Sequence, residues 1–225
     1  MKQGYFVTGT DTGVGKTLIA AALIHKFAQS GLGSVGMKPV AAGARLAGEC
    51  LLNEDVEQLI GAGNVEALLA LVNPYVFEPP IAPHIAARQV GVDISIGTIE
   101  AAFKSLGELA DVVIVEGAGG FLVPLGDTED MADLASLLSL PVILVVGMRL
   151  GCLNHALLTV EAIRSRGLRL AGWVANSLEP GMTNFNENLA GLRQRIDAPC
   201  LGVVPWISGA GYQQAADYIE RPGSR

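Results

Sequence analysis

The stretch that most constrains this chain is Gly9-Thr10-Asp11-Thr12-Gly13-Val14-Gly15-Lys16-Thr17, set between the apolar run Tyr5 to Thr8 and a helix-periodic segment from Thr17 to Ser30. A Gly-Lys-Thr triplet between strand and helix is the mark of a phosphate-binding loop. Its glycines let successive backbone N–H groups turn onto an anion, and the helix start adds its positive end. Lys16 would then reach the β- and γ-phosphates, and the Thr17 hydroxyl is a ligand for Mg2+. The strict pattern has glycine at position 10, where this chain has threonine, so the loop is one residue longer than standard.

The strand-then-helix alternation continues down the chain: 111–115 then 131–139, 142–146 then 154–166, 170–174 then 183–195, and finally 200–204. Unbroken runs such as Val112-Val113-Ile114-Val115 suit parallel strands buried on both faces. The expectation is a P-loop NTPase-like α/β fold, a doubly wound, mainly parallel sheet of about seven strands with helices on both faces, forming one domain over 1–225. Residues 54–109 break the rhythm, with helical stretches at 54–60 and 99–109 around the proline-rich Asn73 to Pro80, and read as a helical and irregular insertion. A hydrophobic share of 50% argues against a disordered chain, and a net charge of −7 argues against a nucleic-acid partner. The most apolar window, Leu134 to Met148, contains Pro141 and is shorter than the roughly 18 residues of a spanning helix. No membrane partner is therefore expected. The first ten residues lack the apolar core and cleavage site of a signal peptide, so the expected location is cytoplasmic. Cys50, Cys152 and Cys200 have neither disulfide-framework nor metal-cluster spacing.

In open α/β sheets ligands bind beyond the carboxyl ends of the strands, so the residues just after each apolar run are the candidates. Lys38 follows the strand 35–37 and is placed to meet a second anionic group. Glu116, ahead of Gly117-Ala118-Gly119-Gly120, is placed as a Mg2+ carboxylate, with the glycines admitting close backbone approach. Asp55 is a second candidate carboxylate that spacing alone does not separate from Glu54 or Glu57. Arg149 to His155 lead into a helix with Asn154 as expected N-cap, whose free N–H groups would suit a substrate carboxylate. Asn176 and Pro205 lie where an adenine would rest, asparagine offering a paired donor and acceptor. His25, His84 and His155 fit packing or surface roles.

With these residues in view, the chain resembles the dethiobiotin synthetases over nearly its whole length. The likeness rests on Tyr5 to Thr12 with Val14 to Thr17, Lys38-Pro39-Val40, Val72 to Tyr75, Pro83-His84, Val115 to Gly120, Pro141 to Gly147, Leu150-Gly151-Cys152, Asn154-His155-Ala156, Ala171 to Asn176 and Pro205-Trp206. The longer phosphate loop is the family's own form. The resemblance implies an ATP- and Mg2+-dependent cyclo-ligase that joins CO2 to 7,8-diaminopelargonic acid through a carbamate and a carbamic-phosphoric anhydride, releasing ADP and phosphate. It implies that Lys38 and Lys16 are catalytic and that Thr17, Asp55 and Glu116 organise Mg2+. ATP would contact Gly13, Val14, Gly15, Lys16, Thr17, Leu18, Asp55, Glu116, Gly117, Ala118, Gly119, Asn176, Ser177 and Pro205. The substrate would contact Thr12, Lys38, Ala42 and the helix start Gly151, Cys152, Leu153 and Asn154, in a pocket completed across a homodimer.

The chain departs from the pattern at Gly13, where relatives often have glutamate, and at Ala42, where many have a substrate-contacting serine. A partner-contributed tyrosine is not evident between Met182 and Leu192. The alternative is a P-loop switch ATPase acting with a protein partner, but such proteins carry a lysine where this chain has Asp11. A non-catalytic sensor is a third reading, opposed by the presence of Lys16, Thr17, Lys38 and Glu116.

Overall fold

A computed structural model describes residues 3–48, 50–209 and 211–223. Along the chain lie β1 (Gln3–Gly9), α1 (Lys16–Gln29), β2 (Ser34–Met37), β3 (Val40–Ala42), β4 (Arg45–Ala47), β5 (Cys50–Leu52), α2 (Glu54–Ala62), α3 (Leu69–Val72) and β6 (Tyr75–Phe77). There follow α4 (Pro83–Gln89), α5 (Ile96–Leu109), β7 (Val112–Gly120), α6 (Met131–Leu138), β8 (Val142–Met148), α7 (Cys152–Ser165), β9 (Leu170–Ser177), α8 (Phe185–Arg195), β10 (Cys200–Val204) and α9 (Tyr212–Ala216).

Six strands form the main sheet in the order β10-β9-β8-β1-β7-β2, every pairing parallel. The sheet is doubly wound. β1 is central, flanked by β7 and β8, so the carboxyl end of β1 opens at the switch point where such sheets hold ligands. The six-strand count falls one short of the seven or so expected. Chain that continues β2 leaves the sheet at Lys38-Pro39, because proline has no N–H for a ladder, and β3 pairs instead with β6.

The two-residue period of the strands sends alternate side chains to opposite layers. Tyr5, Val7, Val112 and Ile114 pack with Ile19, Leu23 and Phe27 of α1. Phe6, Val113 and Val115 pack with Ile99, Phe103 and Leu106 of α5 and with Leu134 of α6. In α5 the positions Ile99, Ala102, Phe103 and Leu106 repeat at i, i+3, i+4 and i+7 and are all buried. At about 1.5–3 kcal/mol for each large apolar side chain fully buried, that stripe fixes α5 against the sheet. Val56, Val72, Phe77 and Ala86, from the segment read as an insertion, belong to the same cluster. In topology, 54–109 is part of the connection from β2 to β7.

One expectation is corrected. Asn154 does not cap α7: Gly151 does, at φ 92°, and Asn154 is an exposed residue inside the helix. Glycine takes the left-handed conformation without a Cβ penalty, so the chain turns into the helix three residues sooner.

Candidate active site

Beyond the ends of β1 and β2, and against the later half of β7, lies a cavity of about 770 Å3, whose walls include Thr12, Lys16, Thr17, Lys38, Asp55 and Glu116. Gly13, Gly15, Leu18, Ala42, Ala118 and Gly119 complete much of the lining, and Pro80 to Pro83 close one side. The long phosphate loop gets its shape from two left-handed glycines, Gly13 at φ 72° and Gly15 at φ 88°. Asn176 Nδ2 donates to the Val14 carbonyl at 2.9 Å, and a Cβ on Gly15 would lie only 2.2 Å from that same nitrogen. The Lys16 ammonium folds back onto the loop and donates to the Asp11 carbonyl at 2.9 Å. Burial, with help from the Lys38 ammonium, pushes the Lys16 pKa down to about 8, against the pull of nearby carboxylates.

The charged centre is made by Lys38 just past the end of β2, Asp55 in the first turn of α2 and Glu116 in the middle of β7. Lys38 Nζ donates to Glu116 Oε1 at 2.6 Å and to Asp55 Oδ2 at 2.8 Å. Thr17 Oγ1 donates to the same Glu116 oxygen at 2.8 Å. Burial opposes charge on Lys38, yet the Glu116 and Asp55 carboxylates outweigh it and hold the ammonium above its ordinary pKa. Burial likewise opposes charge on Asp55, but Lys38 wins and holds that carboxyl below its usual range.

Asp55 owes its position to Asn53, the N-cap of α2, which accepts from Asp55 N at 3.1 Å and from Val56 N at 3.4 Å. Asn53 also donates to the Ala42 carbonyl at 3.2 Å, tying α2 to β3. Among the acidic residues that spacing left open, Asp55 is the one that meets Lys38. Glu57 instead pairs with Arg45 on the surface, and Glu54 is exposed. Asn73 Nδ2 donates to the Lys38 carbonyl at 2.6 Å, holding the strand end from below.

The second oxygen of Glu116, Oε2, is buried without a hydrogen-bond partner. Such an oxygen normally has a partner, so its lone pairs await one. With the Thr17 hydroxyl and the Asp55 carboxylate it makes a set of hard oxygen donors of the kind Mg2+ takes beside phosphate.

A second cavity, of about 190 Å3, shares Gly13, Gly15 and Leu18 with the first and is also lined by Asn176, Ser177, Pro205 and Trp206. Other expected contacts stand apart. The Val14 side chain is buried against β1 and α1, leaving only its backbone for a ligand. Gly117 faces away, since a Cβ there would meet Phe6 and Met131, as alternation from Glu116 requires. Gly151, Cys152, Leu153 and Asn154 do not line the large cavity of this chain, and Cys152 is buried among Leu144, Val146 and Ala156. Sequence reasoning assigns no site role to Asn53, to Asn73 or to the Pro80 to Pro83 wall, although Asn73 and Pro83 stand in stretches that carry the resemblance. Asn53 ahead of Glu54-Asp55 was a readable helix-start signal, while Asn73 acts through partners distant in sequence.

Fold and loop together define a P-loop nucleotide-binding α/β protein. Residues 3–213 match a family model described as an AAA domain. In fold the chain is like the ParA family ATPase from Chlorobium tepidum, with a TM-score of 0.55 over 96% of this chain and 89% of that one at 14% identity. In sequence it is 58% identical over 222 residues to the ATP-dependent dethiobiotin synthetase BioD of Aromatoleum aromaticum, covering 98% of each chain. It is 55% identical over 206 residues to the protein of the same name from Nitrosospira multiformis, covering 92% of this chain and 89% of that one. The chain belongs to the dethiobiotin synthetase family.

Proposed function

We propose that this site carries out ATP-dependent dethiobiotin synthesis, closing the ureido ring from 7,8-diaminopelargonate and CO2. One amine of the substrate adds to CO2 and loses a proton, giving a carbamate. A carbamate oxygen attacks the γ-phosphorus and ADP leaves, and the second amine then attacks the carbamic carbonyl, loses a proton and expels phosphate. Carbamate and triphosphate are both anions, so bringing oxygen and phosphorus into line needs cationic groups between them.

The observation that carries this reading is a buried Lys38 ammonium within the same cavity as the phosphate-loop Lys16. Two lysines from separate loops can bracket the two anions, Lys16 toward the phosphates and Lys38 toward the carbamate, with Thr12 beside them. The backbone from Gly13 to Thr17 would hold the phosphates, Leu18, Ala118 and Gly119 would flank the nucleotide, and Asn176, Ser177 and Pro205 would border the base. Gly117 would contribute through its backbone. Thr17, Asp55 and Glu116 would hold Mg2+, which when bound neutralises charge on the phosphate oxygens.

The substrate tail's carboxylate is assigned to the start of α7, Gly151 to Asn154, in a pocket that a second copy completes. That assignment makes the working form a homodimer, each chain a single domain with 54–109 as its elaborated connection. Ala42 provides no hydroxyl, so one substrate hydrogen bond worth about 0.5–1.5 kcal/mol is absent unless another group supplies it. Among the described residues no helix is long and apolar enough to cross a membrane. The reading adds a cytoplasmic location. A switch ATPase is disfavoured by Asp11 in place of that group's lysine.

The test is to incubate the protein with diaminopelargonate, bicarbonate, Mg2+ and each nucleotide in turn and to look for the cyclic urea by mass spectrometry. Product with ATP, and none without the diamine, is expected. Nucleotide hydrolysis indifferent to the diamine would overturn the reading.

A further inference from the structure

We infer that Arg149, which does not line the cavity, is a positioning residue for the phosphate loop, acting through Asp11 on Thr12 and Lys16. The inference rests on the reading of this loop as the ATP phosphate site. Arg149 directly follows β8, and its guanidinium Nη2 is 2.5 Å from Asp11 Oδ2. The other carboxylate oxygen of Asp11 accepts from Thr12 N at 2.8 Å, and the Asp11 backbone carbonyl accepts from the Lys16 ammonium at 2.9 Å. One residue therefore links the end of β8 to Thr12 and to the lysine that would meet the phosphates.

The loop needs such an anchor. Gly13 and Gly15, both left-handed, flank Val14, and glycines fix their own dihedrals least of all residues. The loop is held at its start by Thr10 N, which donates to the Val145 carbonyl at 3.0 Å, and near its end by Asn176 on Val14. Between those points the Asp11–Arg149 pair ties the loop to the end of β8. Both side chains are close to half exposed, 47% and 42%, so the pair adds little to global stability while still setting where the Asp11 peptide lies. A role in geometry and a role in folding can thus be measured apart.

The experiment is calorimetric titration of the intact protein with Mg2+ and the non-hydrolysable β,γ-imido analogue of ATP, alongside thermal melts. Arg149→Met and Asp11→Asn should each weaken analogue binding about tenfold, and the double variant no further, because both remove a single shared contact. Arg149→Lys should stay within about threefold of wild type by keeping the charge. Thermal midpoints should move by less than about 4 °C, as for a surface ion pair. An Arg149→Met protein within about twofold of wild type, or a double variant with multiplied losses, overturns the inference, as does weakened binding matched by a large drop in thermal midpoint. Wild-type protein that does not bind the analogue overturns the site reading itself, and the inference with it.

Discussion

Lys38 Nζ stands 2.6 Å from Glu116 Oε1, and the two side chains are only 6% and 1% exposed. The Glu116 carboxylate is the main reason that Lys38 stays charged inside the protein, since an isolated ammonium in such a place would give up its charge or its burial. Asp55 and Thr17 lean on the same pair, so four residues from four separate chain segments share one electrostatic centre.

Lys38→Ala should remove nearly all turnover while the protein still folds. We expect a loss of at least about a thousandfold in kcat, the scale of removing a charge aimed at the reacting atoms. Stability should fall by about 3 kcal/mol, because Glu116 is left buried and unpaired. Turnover by mass spectrometry and urea unfolding read the two effects; undiminished activity would sink the assignment of Lys38.

Glu116→Gln keeps the shape but withdraws the negative partner of Lys38 and one Mg2+ oxygen. The help that Mg2+ gives to binding of the ATP analogue should shrink by about tenfold or more, consistent with loss of a metal-ligating carboxylate. Titrations with and without the metal measure this directly. An unchanged ratio of the two affinities would exclude Glu116 as a ligand.

The low pKa of Lys16, about 8 against an ordinary 10.5, makes nucleotide binding depend on pH. Between those values the unfolded chain holds the proton more tightly than the folded one. Stability of the ligand-free protein therefore gains from rising pH across that window, by at most roughly 3 kcal/mol from this group. Phosphate favours the charged lysine, so binding above about pH 8 should take up a proton and weaken as pH rises. Calorimetry in buffers of different ionisation enthalpy detects that uptake, and Lys16→Met should abolish it. Uptake that persists in Lys16→Met assigns the proton to another group.

Gly15→Ala should disable the phosphate loop. The backbone there is left-handed at φ 88°, and the added methyl would fall on Asn176 Nδ2 at 2.2 Å. Strain and a lost Asn176 to Val14 hydrogen bond together should cost about 2–4 kcal/mol of stability and most of the analogue affinity. Gly13→Ala is the matched control: its φ of 72° carries strain, but nothing lies within 4 Å of the new methyl. Equal losses in the two variants would show that the clash with Asn176 does not matter.

The phosphate loop and the strand rhythm were legible in the sequence because both are local. Gly15-Lys16-Thr17 draws its meaning from neighbours a few residues away, and an unbroken run such as Val142 to Val146 reports burial on both faces. Lys38 and Glu116 followed as candidates because each stands at the end of such a run. Tertiary structure alone decided what they meet. Spacing alone did not separate Asp55 from Glu54 and Glu57, and only the resemblance singled it out; what turns it toward Lys38 is the Asn53 cap and the packing of α2. The Asp11–Arg149 bridge across 138 residues depends likewise on through-space approach, whereas the helix start at Gly151 and the turn of Gly117 toward Phe6 and Met131 follow from local dihedral preference and strand alternation. Sequence spacing encodes dihedral preference and period, whereas ion pairs and cavities depend on distances that exist only after the chain has closed on itself.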